Sequence, residues 1–433
     1  MKEIRFVSAD EAVSHIKSHC HIHLSSVASV PHILIQALCR RADAGEVEDL
    51  HFHHFHTEGP APYSEPRYEG IFFEQGFFVG PNVRANVNAG YADYLPVHLG
   101  ESQKLYRDGF IKLGAALVNV SRPDANGMVS LGTSVDCSVA AVETAELVIG
   151  VINPNVPYAH GDLVSLDRFD YLVEDDTPLV TAHFAEPTPT EVLIGKNCAA
   201  LVEDGDCIQM GIGALPNALA AQLGNHKNLG LHTEMFADGL LRLIKSGVIN
   251  GACKKIDTGK VVASFLLGSQ DVYSFIDDNP DVLMKDIAYT NNPWVIAQNP
   301  NMKAINSATE VDLTGQISAD SIGMRIFSGT GGQLEFVKGA TMSKGGKSIT
   351  AFASRTNKGK NKIVSALNPG AGVVTPRADA HWIVTEYGAV DLYGKSLQER
   401  VKLMISIAHP DDREMLDREA FERFGPHWHN FSI

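Results

Sequence analysis

Short, continuous apolar runs at residues 115–120, 147–152, 261–267, 348–353 and 362–367 alternate with stretches of helical periodicity. A strand that is apolar along its whole length is buried on both faces, and the usual way to bury both is a parallel sheet flanked by helices. The pattern predicts an α/β fold in each half of the chain. At 433 residues there is room for two or three domains, each with its own core. The clearest break is Ala185-Glu186-Pro187-Thr188-Pro189-Thr190, where two prolines favour an extended connection. It separates a domain over 1–185 from one over 190–433. A faint internal echo supports the division. Cys20-His21-Ile22-His23-Leu24 leads through small residues to Pro31 and a helical Leu34/Leu38 pattern; Cys207-Ile208-Gln209-Met210 leads through Gly211 and Gly213 to Pro216 and Leu219/Leu223. Both read as strand, small-residue turn and proline-started helix, since the N–H that proline lacks would have no intrahelical partner there. The more polar stretch 408–428, with Pro410 and Pro426, reads as a surface helix plus tail.

Composition excludes several classes of function. With 44% hydrophobic and 20% charged residues the chain folds, and its net charge of −15 argues against a protein whose affinity comes from neutralising nucleic-acid phosphates. The cysteines at 20, 39, 137, 198, 207 and 253 form no CxxC pair and no zinc spacing, which points to reduced thiols and a cytoplasmic setting. Met1-Lys2-Glu3-Ile4-Arg5 lacks the apolar core of a signal peptide, and no stretch approaches the ~18 apolar residues of a membrane helix. A soluble, unexported protein with no membrane partner is expected.

Some motifs mislead. Gly346-Lys347-Ser348 and Gly394-Lys395-Ser396 end like a phosphate-binding loop, but Thr341 and Ala389 stand where its first glycine belongs. The run His51-Phe52-His53-His54-Phe55-His56 has little else of ligand type nearby and no HExxH partner, so no metal is expected. Gln209-Met210-Gly211-Ile212-Gly213-Ala214-Leu215-Pro216 is a stronger signal. Small residues there let backbone approach a ligand, and the following helix offers N–H groups and a partial positive charge to an anion. Three readings stay open: a tight structural turn, a dinucleotide site with Glu234 on the ribose, or a site in which Glu234 is itself reactive. Pro216 occupies the place of the third glycine of a dinucleotide fingerprint and counts against the second. Glu234 ends the strand pattern 229–233, where open α/β sheets place ligands, and Met235 and Phe236 would partly dry it. A desolvated, ionised carboxylate is a competent acyl nucleophile; a helix-start acid is the bland alternative. Gly329-Thr330-Gly331-Gly332-Gln333, with lysines from Lys338 to Lys347, reads either as a backbone-lined ligand channel or as a flexible loop.

Taken with His56-Thr57-Glu58-Gly59-Pro60-Ala61-Pro62-Tyr63, Phe77-Phe78-Val79-Gly80-Pro81-Asn82-Val83-Arg84, Ser121-Arg122-Pro123-Asp124, Ile305-Asn306-Ser307-Ala308, Thr385-Glu386-Tyr387-Gly388 and Ile407-Ala408-His409-Pro410, these motifs span nearly the whole chain. It resembles the acetyl-CoA hydrolase/CoA-transferase family, most closely its short-chain branch of the 4-hydroxybutyrate and butyryl-CoA:acetate type. The resemblance implies two related open α/β (Rossmann-like) domains of the class I CoA-transferase type, an interdomain active site, and a catalytic glutamate, Glu234, in the C-terminal domain. It implies transfer of CoA between a short-chain acyl-CoA, of the 4-hydroxybutyryl or butyryl class, and a carboxylate such as acetate, by a ping-pong route through a glutamyl-CoA thioester. A hydrolase using water as acceptor is the alternative. Gly211, Ile212, Gly213, Ala214, Leu215, Gly331 and Gly332 are implied CoA contacts, Asn306 a side-chain donor near the thioester, and Gln209 and Gly332 oxyanion donors. Coenzyme A enters as substrate, with no permanently bound cofactor and no metal, and a homodimer or dimer of dimers is implied.

Overall fold

The structure is a computed structural model and describes residues 5–425; the N-terminal Met1-Lys2-Glu3-Ile4 and the tail beyond Gly425 lie outside the described residues. The chain divides into two units. The first comprises Met1–His183, Glu234–Ala237 and Val261–Asn291; the second comprises Phe184–Thr233, Asp238–Lys260 and Asn292–Ile433. The first change of unit falls beside the proline-rich break, but the chain returns twice to the first unit. Glu234 therefore lies in the first unit, whereas the simple two-part division of the sequence puts it in the second.

In the first unit the strands Tyr171–Glu174, Leu147–Ile152, Leu113–Val120, Cys20–Leu24, Leu50–His53, Phe72–Gly76 and Asp93–Tyr94 lie side by side in that order, every pair parallel. Cys20–Leu24 comes first in the chain; the next strands are laid on one side of it and the later ones on the other. The core on this sheet includes Ile22, Leu24, Leu34, Phe52, Leu117 and Ile149, all essentially inaccessible to solvent. Within the same unit Val261–Ala263 pairs with Val282–Met284, and Met235–Phe236 with Phe265–Leu266, again in parallel.

The second unit repeats the winding. Its first strand, Cys207–Met210, has Gly230–His232 on one side and Met302–Asn306, Lys347–Ala351 and Trp382–Thr385 on the other, all parallel; Gly388–Asp391 closes the edge antiparallel. The echo between residues 20–38 and 207–223 is thus the first strand-turn-helix of each sheet, ending in helices His32–Asp43 and Ala214–Gln222. The second helix begins two residues before Pro216, whose ring sits in the first turn, where no N–H is needed. Of the apolar runs, 147–152 is a strand over its full length, and 362–367 shrinks to Ile363–Val364. The run 261–267 splits at Ser264, whose N–H and carbonyl turn away to Glu234 and to residues 135–136. Pro189 opens the helix Pro189–Ala199, capped by reciprocal bonds between Thr188 and Glu191, so the extended connection ends before it. Among the described residues no helix is long and apolar enough to cross a membrane.

Candidate active site

Where a parallel sheet reverses its winding, the loops leaving the two central strands diverge and open a crevice at the strands' C-terminal ends. In the second unit that point lies between Cys207–Met210 and Met302–Asn306. Gln209 and Asn306 meet there. Their amides pair at 3.3 Å in both directions, and the Ile305 N–H donates to Gln209 Oε1 at 3.1 Å. Gln209 is buried, with its Oε1 accepting two bonds and its Nε2 donating to Asn306, which makes it a support for Asn306, the more accessible of the two at the strand end.

The same strand leads into Gly211, Ile212 and Gly213, followed by Ala214 and Leu215 in the first helical turn. Gly213 has φ of 113° and ψ of −174°, a conformation open to glycine and scarcely to any other residue, and a Cβ there would meet nothing within 4 Å. Backbone geometry, not lack of space, selects glycine. Gly331, with φ of 57°, and Gly332 stand at the start of the helix Gln333–Met342, which packs on the same sheet. Both glycine segments sequence reasoning singled out are thus helix N-termini of the second unit, where unpaired N–H groups favour anions.

Glu234 belongs to the first unit. Its carbonyl accepts from the N–H groups of Ser264 at 2.9 Å and Phe265 at 3.0 Å, and this anchors the short Met235–Phe236 strand beside Phe265–Leu266. The pattern around 229–233 predicts a strand running directly into a helix; instead the strand Gly230–His232 ends, Glu234 sits at a bend, and the helix starts at Asp238. Met235 and Phe236 are buried and Glu234 is half-buried, so Glu234 keeps partial access at the start of a buried apolar segment. Oε2 accepts from Asn291 Nδ2 at 2.8 Å. Asn291 is inaccessible to solvent and caps the single-turn helix Ile287–Thr290. Sequence reasoning passed over it: in Thr290-Asn291-Asn292-Pro293 the only local signal is that of a helix end before proline.

The histidine run has a structural role. His53 and His54 are buried in the first unit; His53 Nε2 lies 2.8 Å from His21 Nδ1, and His54 Nε2 lies 3.4 Å from the buried Glu74 carboxyl. Burial pushes Glu74 up to about 8 and His54 down to about 4, so both are neutral near pH 7. His23, Asp136 and Cys137 bring their ligand-type atoms within 4.8 Å of one another. Hydrogen bonds to Tyr106, Ser134 and Ser138 already occupy the His23 ring and the Asp136 carboxylate, and burial holds the Cys137 thiol protonated. The hydrogen bonds tie His23 and Asp136 into a buried polar network. A groove at the N-terminal ends of the first sheet's strands, lined by Lys17, His19, His21, Phe110 and Lys112 among others, contains none of the site residues read from the sequence.

Sequence models of the acetyl-CoA hydrolase/transferase N-terminal and C-terminal domains match residues 3–182 and 268–420. The chain is 43% identical to a succinyl-CoA:acetate/propanoyl-CoA:succinate CoA transferase of Fasciola hepatica, over 96% of this chain and 87% of that protein. It is 40% identical to a 4-hydroxybutyrate coenzyme A transferase of Clostridium kluyveri, over 97% and 98%. Among solved structures, RipA from Yersinia pestis superposes with a TM-score of 0.92 at 33% identity, covering 97% of this chain and 98% of RipA. A 4-hydroxybutyrate CoA-transferase from Porphyromonas gingivalis superposes with a TM-score of 0.84 at 35% identity, over 97% and 98%.

Proposed function

The chain belongs to the acetyl-CoA hydrolase/transferase family, and we propose that it moves coenzyme A between a short-chain acyl-CoA and a carboxylate, with Glu234 as the group that carries CoA in between. The observation that supports Glu234 most directly is the 2.8 Å bond from Asn291 to its Oε2. A carboxylate becomes a useful acyl nucleophile when one oxygen is held in place and its surroundings are partly dry. Oε2 has a buried amide donor, and the adjoining Met235 and Phe236 are buried apolar residues, which supports a partly dry setting.

In this reading Glu234 Oε1 attacks the acyl-CoA carbonyl. The carbon–sulfur bond breaks, giving a mixed anhydride between the acyl group and Glu234, and CoA leaves as thiolate. The thiolate then attacks the Glu234 Cδ, the anhydride opens, the first carboxylate departs, and a glutamyl-CoA thioester remains. During that attack the negative charge develops on Oε2, the atom that Asn291 already serves, so the amide acts as a donor to the tetrahedral intermediate. The acceptor carboxylate reverses the sequence: it attacks Cδ, releases CoA thiolate and forms a new anhydride, whose acyl carbon the thiolate then takes. Every intermediate is an activated acyl group, so the route needs neither ATP nor an electron carrier.

Asn306, supported by Gln209, is the proposed donor near the thioester, and the segments around Gly213 and Gly332 are the proposed binding elements for CoA. The relatives are named for succinyl, propanoyl, 4-hydroxybutyrate and butyryl groups, which supports short-chain acyl groups as this chain's proposed substrates. Initial-rate kinetics test the reading. Varying acyl-CoA at several fixed acetate concentrations is expected to give parallel double-reciprocal lines, and labelled acetate is expected to exchange into acetyl-CoA with no second acid present. Intersecting lines without exchange would overturn it; CoA release independent of added carboxylate would instead make water the acceptor.

A further inference from the structure

Asn291 stands at the end of a helix only one turn long, Ile287–Thr290. A turn that short has no stability of its own, because helix nucleation fixes several residues for one hydrogen bond. Its place is set by what holds its ends, and one residue, Asp286, holds the start in four ways. Its Oδ1 accepts from the Ala288 N–H at 2.7 Å, and its carbonyl accepts from the N–H of Tyr289 at 2.9 Å and of Thr290 at 3.1 Å. Its Oδ2 pairs with Arg107 Nη2 at 2.7 Å, and its own N–H donates to Asp162 Oδ2 at 2.7 Å. Asp162 is held in turn by Lys285, and Arg107 also by Glu143. The neighbouring residues bind the turn to the backbone that positions Glu234: the Ile287 N–H donates to the Asp136 carbonyl, and Ser264, whose N–H serves the Glu234 carbonyl, donates its hydroxyl to the Lys285 carbonyl. All these residues lie in the first unit.

We propose that Asp286 is a positioning residue for the transfer reaction: by clamping the 287–290 turn between Arg107 and Asp162, it fixes where the Asn291 amide meets the Glu234 carboxylate. Asp286 touches no reacting atom; it acts through Asn291. The inference rests on the reading of Glu234 as the CoA carrier. A donor must sit within a few tenths of an ångström of the developing oxyanion to act, and a turn left free at its start cannot hold that tolerance.

A double-mutant cycle on the full-length enzyme tests this. Asp286→Ala is expected to lower kcat at least about tenfold with KM changed less than about threefold, and Asp286→Asn, which keeps an acceptor for the Ala288 N–H, to recover most of that loss. In the Asn291→Ala background the further effect of Asp286→Ala on kcat should shrink to less than about twofold, since the group it positions is gone. Equal effects in the two backgrounds, a change confined to KM, or a kcat within twofold of wild type would overturn the proposal. Should Asp286→Ala fail to fold, Arg107→Gln, at a side chain 29% exposed, runs the same cycle with the cap intact and the same criterion of non-additivity. Trapping the adduct on wild-type enzyme separates the two failures. Absence of CoA on Glu234 in active wild type defeats the underlying reading, whereas an adduct on Glu234 combined with additive kcat effects defeats the role of Asp286 alone.

Discussion

The proposed reaction requires Glu234 to be both ionised and partly dehydrated; Asn291 donates to its Oε2, and the two apolar residues that follow it, Met235 and Phe236, are buried. The Glu234 backbone carries the structural load, through Ser264 and Phe265, so the carboxylate can be changed without removing what holds the segment. Glu234→Gln is therefore expected to lower kcat by at least ~10³-fold while the melting temperature stays within a few degrees of wild type; turnover assays with differential scanning calorimetry check both. Asn291→Ala, which removes one donor, should cost ~10²–10³-fold in kcat. The local pattern singled out Glu234 as an acid after a strand and before apolar residues, but left a helix-start acid equally open; only the family resemblance gave it the proposed role. Asn291 was not legible in the sequence, because its role depends on a contact with a residue 57 positions earlier, and nothing local distinguishes it from an ordinary cap.

At the scale of elements, buried parallel strands were readable from their apolar runs, and the turn-helix that follows the first strand of each sheet was readable from its small residues and proline. What could not be read is how a run is interrupted. Residues 261–267 are uniformly apolar apart from Ser264, yet the chain breaks there because two N–H groups of that segment are drawn to the Glu234 carbonyl. The seat of the helix Ala214–Gln222 was equally hidden. Gly195 of the helix Pro189–Ala199 lies so close that a Cβ on it would come within 2.8 Å of the Ala218 backbone. Gly195→Ala must push these helices apart, at a cost of ~1–3 kcal/mol, and move the turn that contains Gly213. The expected result is a lower melting temperature together with a raised KM for acyl-CoA, measured on the same preparation; an unchanged KM would show that the turn does not meet the substrate.

Across the whole molecule, stability should report the buried ionisable groups of the first unit. Burial lowers His23 and His53 to about 3 and His54 to about 4. Each binds a proton more readily when unfolded, so stability is fully present above pH ~6.5 and falls below it by about 1.4 kcal/mol per pH unit per group. Glu74, raised to about 8, works in the opposite sense: folded protein holds a proton that unfolded protein releases, so stability declines as pH rises from ~4.3 to about 8. Burial also lowers His21 and His32, which act in the same sense as the other histidines, and raises Asp136 and Asp286, which act in the same sense as Glu74. With the histidines dominating below pH 6.5 and Glu74 above it, denaturant unfolding should give maximum stability near pH 6–7. Glu74→Gln should flatten the decline between pH 6.5 and 8, and an unchanged alkaline slope would contradict the assignment. The two sheets share a winding that the sequence echo foreshadowed, but no apolar pattern reveals that short segments such as Glu234–Ala237 return to the first unit.

All of this turns on a covalent bond between Glu234 and the sulfur of coenzyme A. Enzyme incubated with an acyl-CoA in the absence of acceptor, quenched with hydroxylamine and mapped by peptide mass spectrometry, should carry a hydroxamate on Glu234, with none formed in Glu234→Gln. Wild-type enzyme that turns over acyl-CoA with acetate yet yields no modified Glu234, or a Glu234→Ala variant with wild-type turnover, would contradict it.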